Sequence, residues 1–144
     1  MKLLIKKIAS PEEMTHCLKI RTIVFIEGQK VPIHEEMDGK DSESDHYLLF
    51  VNNQPAGVAR VRFIEDFAKI ERVAILEEYQ GKGLGKEIMN KILADLRENA
   101  AVYTAKLSAQ TYAIPFYEKL GFSICSEEYI DANIPHKDMK LSLR

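Results

Sequence analysis

Two hydrophobic periods alternate along this chain. Lys2–Ile8 reads as a strand, and Met14, Cys17, Leu18 and Val24/Phe25 then recur at helical spacing. The helix start is written in Ser10-Pro11-Glu12-Glu13: a serine N-cap, a proline at the first helical position and a glutamate at N3 that can bond back to the cap. Gly28 is its stop, and residues 28 to 45 read as an acidic loop. His46–Val51 and Ala56–Ile64 are strands joined by Asn52-Asn53-Gln54-Pro55, which is the turn chemistry of a hairpin. Ile70–Ile75 is the next strand. Leu84, Ile88, Ile92 and Leu96, with Met89 and Leu93 beside them, lay one apolar stripe on a helix that ends near Asn99, and such a stripe belongs to a core. Ala101–Leu107 is strand-like, and Thr111–Leu120 is a helix closed by Gly121. Pro115 fits only the first turn of that helix, where an N–H has no partner to lose. Phe122–Ile130 and Lys137–Leu143 end the order as two strands.

The order β-α-β-β-β-α-β-α-β-β predicts an α/β fold: a mixed, mostly antiparallel sheet of about six to seven strands flanked by helices, with no internal repeat. The 144 residues suit one domain, 1–144, long enough to bury a core. A composition 46% hydrophobic and 29% charged is that of an ordinary globular chain, so disorder and fibre readings fall away. The formal net charge is −2 and Lys and Arg are scattered, which leaves no footprint for nucleic acid or an anionic membrane surface. No eighteen apolar residues run together, and Lys6 and Lys7 interrupt the first apolar stretch with no small-residue cleavage site after it. The expectation is a cytoplasmic protein without a membrane span or secretory signal. Cys17 and Cys125 sit in apolar patterns and read as buried thiols of a reducing compartment. His16 precedes Cys17 directly, and adjacent side chains on a helix do not face each other, so no catalytic pair forms there.

The densest chemistry follows the strand residues Val73-Ala74-Ile75. Gly81, Gly83 and Gly85 crowd the turn before the amphipathic helix, where one glycine would serve an ordinary connection. Glycines let backbone approach a ligand and reach φ > 0, and the free amides of the helix start then point at an anion. A phosphate cradle results. It is not a P-loop, since Gln80 stands where the first glycine belongs and Glu87 where Ser or Thr must follow Lys86. It is not a dinucleotide fingerprint either, because Lys86 occupies the sixth position counted from Gly81.

Gln80-x-x-Gly83-x-Gly85 after that strand resembles the acyl-CoA pyrophosphate loop of the GNAT N-acetyltransferase superfamily. Leu107-Ser108-Ala109-Gln110, followed by Pro115-Phe116-Tyr117-Glu118-Lys119-Leu120-Gly121-Phe122, is similar to that family's fifth strand and next helix. Arg21-x-x-Val24-Phe25-Ile26-x-x-Gln29-x-x-Pro32 and Ile134-Pro135-His136-x-x-Met139 resemble its ElaA-like branch, so the likeness spans nearly the whole chain. The resemblance implies a sheet splayed between the fourth and fifth strands and acetyl-CoA as co-substrate. The acceptor it implies is a small-molecule amine or a protein amine, with no metal. Val73, Ala74 and Ile75 would offer a strand edge to pantetheine, and Gln80, Gly81, Lys82, Gly83, Leu84, Gly85 and Lys86 would hold the pyrophosphate. Gln110 matches a position that contacts CoA. Tyr117 matches the general acid that protonates the departing thiolate, a task a phenol performs while neutral at pH 7. Ala105 stands where some relatives carry a glutamate base, which leaves open a non-catalytic acyl-CoA-binding module as the alternative.

For the base, Glu71 lies two residues before Val73 and by the period of two shares its face with Val73 and Ile75. It is either a proton acceptor, directly or through water, or an ion-pair partner for Arg60, Arg62 or Arg72. His34, His46 and His136 are the other titrating candidates, and His136 is open between a structural hydrogen bond and a substrate or proton-transfer role. His16 reads as solvated. The run from His34 to His46 lacks metal spacing: Asp38 stands where a helical zinc site needs His, and Lys40 interrupts any calcium pattern. That loop is expected to border the acceptor cleft and to attract a cationic amine with its carboxylates. The last strands offer sheet edges through which a homodimer could pair.

Overall fold

The structure is a computed structural model that describes residues 1–144. The N-terminal half runs β1 (Leu3–Lys7), α1 (Pro11–Arg21), a π-helical turn (Thr22–Gly28), α2 (Ile33–Glu36), β2 (Asp45–Val51), β3 (Gln54–Ile64) and β4 (Phe67–Ile75). After the glycine loop come α3 (Leu84–Arg97), β5 (Thr104–Gln110), α4 (Ile114–Lys119), β6 (Ser123–Ile124), β7 (Tyr129–Asp131) and β8 (Ile134–Ser142). The strands form one sheet in the order β1-β2-β3-β4-β5-β8-β6, with β7 also on β8. Every pairing is antiparallel except β4 with β5.

Local chemistry sets most of these boundaries. Ser10 Oγ accepts from the Glu13 amide at 3.2 Å, so the serine cap written in the sequence is formed, while Glu13 Oε1 reaches one residue past the cap to the Ala9 amide at 2.7 Å. Asn52 and Asn53 turn the hairpin with φ of 49° and 68°, a left-handed pair that asparagine tolerates. The helix expected to run to Gly28 has that extent but loosens into π winding at Thr22. The strand expected over Phe122–Ile130 is instead two fragments. Ser126 Oγ accepts from the Asp138 amide at 2.8 Å, a side chain taking the place of a ladder carbonyl, and this breaks the strand between β6 and β7. Cys125 falls in that break and is exposed, contrary to the expectation of two buried thiols; Cys17 is buried.

The sheet packs on both faces. On one, Ile88, Met89, Ile92 and Leu96 of α3 close over Ala59, Val61, Ala68 and Ile70 as the main core. On the other, Cys17 and Ile20 of α1 cover Leu48, Val58 and Ala74. The expected splay between the fourth and fifth strands is present: β4 pairs with β5 only at Phe67–Thr104, Ala68–Ala105 and Lys69–Lys106. Beyond Lys69 the two strands part.

A β-bulge accompanies the parting. Arg60 opposes Glu71 and Val58 opposes Ala74, so Ala59 alone stands against Arg72 and Val73, and Arg72 takes a left-handed φ of 55°. The extra residue reverses the alternation. Ala68 and Ile70 face the α3 core before it, Val73 and Ile75 face the same core after it, and Ala74 turns to α1. Glu71 therefore lies on the face opposite Val73 and Ile75, which corrects the shared face expected from a strict period of two.

On the α1 face the bulge meets a buried ionic cluster. Arg21 and Arg60 are 1% and 0% exposed. Arg21 donates to both carboxylate oxygens of Glu36 and, at 2.8 Å, to Asp41. Arg60 grips Asp38 with two nitrogens at 2.9 and 2.8 Å and also reaches Asp41 and Glu71. Arg72 adds Glu36 at 2.7 Å and the Glu35 and Glu36 carbonyls. Three carboxylates of the acidic loop are thus spent on arginines of α1, β3 and β4. The expected amine-attracting role does not fit Glu36, Asp38 and Asp41; they fold the loop against the sheet.

Hydrogen bonds from Arg60 hold the Asp38 carboxyl well below the usual range. At Asp41 and Glu71 burial pushes upward, and the arginines outweigh it and hold both low. A carboxyl with a depressed folded-state pKa contributes stability that is present above its unfolded value and lost as pH falls through the folded one. Urea midpoints should therefore be flat above about pH 5 and drop as pH falls through about 4 and below. Replacing Arg21 with Met strips the buried Glu36 and Asp41 of a partner and should cost about 3–5 kcal/mol at pH 7. An unchanged midpoint in that variant would show that the loop does not depend on the cluster.

Candidate active site

Where β4 and β5 separate, a cleft of about 220 Å³ opens between the two faces of the sheet. Its walls include Val73 and Glu71 of β4, Ser108 and Gln110 of β5, and Tyr117 of α4. The N-terminal end of α3 stands at the end of the same strand, β4 being followed by one 3-10 turn, Glu77–Tyr79, and then the glycines.

The three glycines have two different reasons. Gly81 and Gly83 carry φ of 78° and 76°, and a Cβ at either would meet nothing within 4 Å, so backbone conformation alone requires them. Gly85 has no such φ; its Cβ would come within 3.3 Å of Phe116 Cζ, so it lets α3 and α4 approach. Gly83 is the N-cap of α3 and no side chain caps the helix, which leaves first-turn amides to an outside acceptor. Leu84 is buried in the core and fixes that helix end. Gln80 turns its amide back onto the Ile75 carbonyl at 3.0 Å, tying the loop to β4, and Lys82 lies over the Tyr79 ring at 5.8 Å. Lys86 follows in the first turn of α3. The segment leaves open space beside Gly81 and Gly83 and uncapped amides at the start of α3.

Tyr117 packs edge-on against Phe116 and Phe122, with centroids 5.0 and 6.1 Å away. Burial, helped by Tyr112, pushes its phenol up to about 12, so it stays protonated at neutral pH. Gln110 lines the cleft, but its amide donates to Gln29 Oε1 at 2.8 Å and joins the end of β5 to the end of the π turn. Ala105, Leu107 and Ala109 fill the α3 core, so Ser108 and Gln110 belong to the opposite face, with Glu71.

Glu71 accepts from Arg62 and Arg60 and has Lys69 at 3.9 Å. Of its two expected roles the ion-pair one is formed, and these cations hold its carboxyl below the ordinary range against the upward push of burial. Of the histidines, His34 is exposed on α2, and His46 is buried with Nε2 2.9 Å from the Asp41 carbonyl. His136 is buried on β8 and lines the cleft. Cys17 lies away from the cleft, its thiol pushed up to about 12 by burial, which makes it inert. Sequence reasoning missed Tyr112 as a cleft residue, and it missed the partners that Arg72 and Gln29 take, Glu36 and Gln110. Gln29 stood inside a quoted motif, whereas nothing in the local sequence marks Arg72 as a bulge, a place where Gly or Asn is the usual signal.

These features belong to one family. The model of an acetyltransferase (GNAT) domain matches residues 23–143, and the chain belongs to that family. It is an N-acetyltransferase. The uncharacterized N-acetyltransferase YjcF of Bacillus subtilis is 36% identical over 140 residues, spanning 96% of this chain and 98% of that protein. ElaA of Escherichia coli is 29% identical over 135 residues, covering 90% of this chain and 88% of ElaA. The ElaA crystal structure superposes with a TM-score of 0.88 at 24% identity over 97% of this chain and 99% of that one. A Bacillus subtilis acetyltransferase solved in complex with CoA has the same fold, with a TM-score of 0.75, 17% identity and 99% and 100% coverage. No helix here is long and apolar enough to cross a membrane.

Gly83→Ala forces a Cβ into the left-handed region at φ 76° with no steric relief to gain. It should lower the free energy of unfolding by about 1–2 kcal/mol in urea titration. No loss at all would mean that the loop rearranges without its glycine.

Proposed function

We propose that the chain transfers the acetyl group of acetyl-CoA to a primary amine, by direct attack of the amine nitrogen on the thioester. The observation that carries this reading is the order along β4: its edge toward β5 is unpaired beyond Lys69, its Val73 shares the cleft wall with Tyr117, and the uncapped amides of α3 follow its end after one turn. Acetyl-CoA supplies the activated acyl group. The Gly81–Lys86 backbone binds its pyrophosphate with the α3 dipole behind it. The free edge at Val73, Ala74 and Ile75 accepts pantetheine amides as a strand accepts an added strand, and positions backbone donors near the carbonyl oxygen on which charge develops. Tyr117, kept protonated by burial, donates its phenolic proton to the sulfur as the carbon–sulfur bond breaks. Gln110 and Gln29 together shape the cleft wall where the acyl group meets the acceptor.

The acceptor enters from the face that carries Ser108, Gln110 and Glu71. Its class is an amine of a small molecule or of a protein. Calorimetric titration with CoA and thiol release from acetyl-CoA across polyamines, amino sugars, amino acids and a lysine peptide test the reading. Tyr117→Phe should bind CoA within about twofold of the parent and lower kcat by roughly 10²–10³. CoA binding without thiol release for any amine would point to a non-catalytic acyl-CoA-binding module, and no CoA binding would overturn the reading altogether.

A further inference from the structure

The ion-paired Glu71 leaves the transfer without a proton acceptor, and one side chain in the cleft is built for that task. His136 is 8% exposed, lies on β8 directly opposite Gln110 of β5, and lines the cleft with Tyr117. Its Nδ1 is 2.7 Å from the Ile134 carbonyl. A carbonyl oxygen only accepts, so Nδ1 must carry the hydrogen. The neutral ring then has its lone pair on Nε2, for which the protein provides no hydrogen-bond partner.

The ring is held as well as oriented. Tyr129, the cross-strand neighbour on β7, stacks on it with centroids 6.0 Å apart and planes 20° apart. Tyr129 is fixed in turn, since its hydroxyl donates to Asp138 Oδ1, which also accepts from Ser108 Oγ at 3.0 Å. Burial and the Asp138 carboxylate push the Tyr129 phenol up to about 12, so the stacking partner stays neutral. His46 also bonds one ring nitrogen to a backbone carbonyl; what separates His136 is its place in the cleft wall with Gln110 and Tyr117. Imidazole is also the side chain whose charge changes between about pH 5 and 8.

We propose that His136 Nε2 is the general base of the transfer. This rests on the acetyl-transfer reading above. As the amine nitrogen bonds to the acetyl carbon, Nε2 takes a proton from that nitrogen. The carbon–sulfur bond breaks, and Tyr117 gives its proton to the leaving sulfur. The products are the N-acetyl amine and CoA thiol, and the imidazolium and phenolate exchange one proton through solvent to restore the enzyme. The acid and the base are thereby assigned to α4, which packs on the α3 core, and to β8, where His136 sits opposite Gln110. Titratable groups around His136 are Tyr129, stacked on it from β7, and, along the same cleft wall, Asp131 of β7, Tyr112 before α4, Tyr117 of α4, and Lys69 and Glu71 of β4. Arg72 and Glu36 complete the wall as an ion pair, and Glu35 is exposed at its rim.

Two measurements test the assignment. Nitrogen-15 spectra of the histidine rings in the CoA-bound protein at pH 8 should show His136 as the Nδ1–H tautomer; an Nε2–H tautomer overturns the proposal without any need for turnover. Thiol release from acetyl-CoA is then followed with the best amine of the panel. His136→Gln should keep CoA affinity and thermal midpoint, lower kcat about 10²–10⁴-fold and abolish the acid-side limb of the pH profile. His136→Ala should recover part of the rate when imidazole is added. A parent enzyme that turns over while His136→Gln matches it in rate and pH profile refutes the base, and leaves acetyl transfer standing. A parent that releases no thiol with any amine fails the transfer reading, and the base with it.

Discussion

One inserted residue organises this molecule. Without Arg72 in its left-handed conformation, β4 would continue the alternation that places Ala68 and Ile70 in the core. Val73 and Ile75 would then turn away from α3. A non-glycine residue at positive φ is costly, and here the cost is offset by what the side chain grips: Glu36, Asp38 and two backbone carbonyls of α2. The bulge thereby fastens the acidic loop to the sheet at the point where β4 leaves β5. The cleft and its wall have one origin.

Burial and charge divide between the two faces. The α3 side is apolar and supplies Tyr117, whose phenol is kept neutral by its surroundings. The α1 side is ionic, with Arg21, Arg60, Arg62 and Arg72 balanced by Glu36, Asp38, Asp41 and Glu71. Buried ion pairs of this kind add little net stability over apolar packing, but removing one partner strands the other. Their effect here is positional: they hold the loop that walls the cleft and they occupy the carboxylate that the sequence offers as a base. The proton acceptor proposed in its place, His136, is oriented by the Ile134 carbonyl.

Much of this was legible in the chain because the signals are local. The Ser10–Glu13 cap, the Asn52-Asn53 turn, the α3 stripe and the Gly81–Gly85 turn each depend on neighbours a few residues away, and each formed where expected. The splay followed from the family resemblance and not from any period. What escaped was non-local. Whether Glu71 faces Val73 depends on a register shift against β3, and whether the loop's carboxylates are free depends on arginines 15 to 36 positions away. Gln110 was read as a ligand contact, while its partner Gln29 lies 81 residues earlier. The break in the last hairpin hung on a single serine hydroxyl.

The parting of β4 and β5 also bears on how the protein holds together. The first four strands and the last four meet through three parallel residue pairs and the α3 crossover, and beyond Lys69 each strand forgoes a partner it could have had. A molecule seated in that gap would find free strand edges on both halves, and would act there as an absent strand of the sheet. Any molecule that binds the folded state alone deepens the folded well, so a ligand seated in that gap would raise the stability of this chain as well as occupy its cleft.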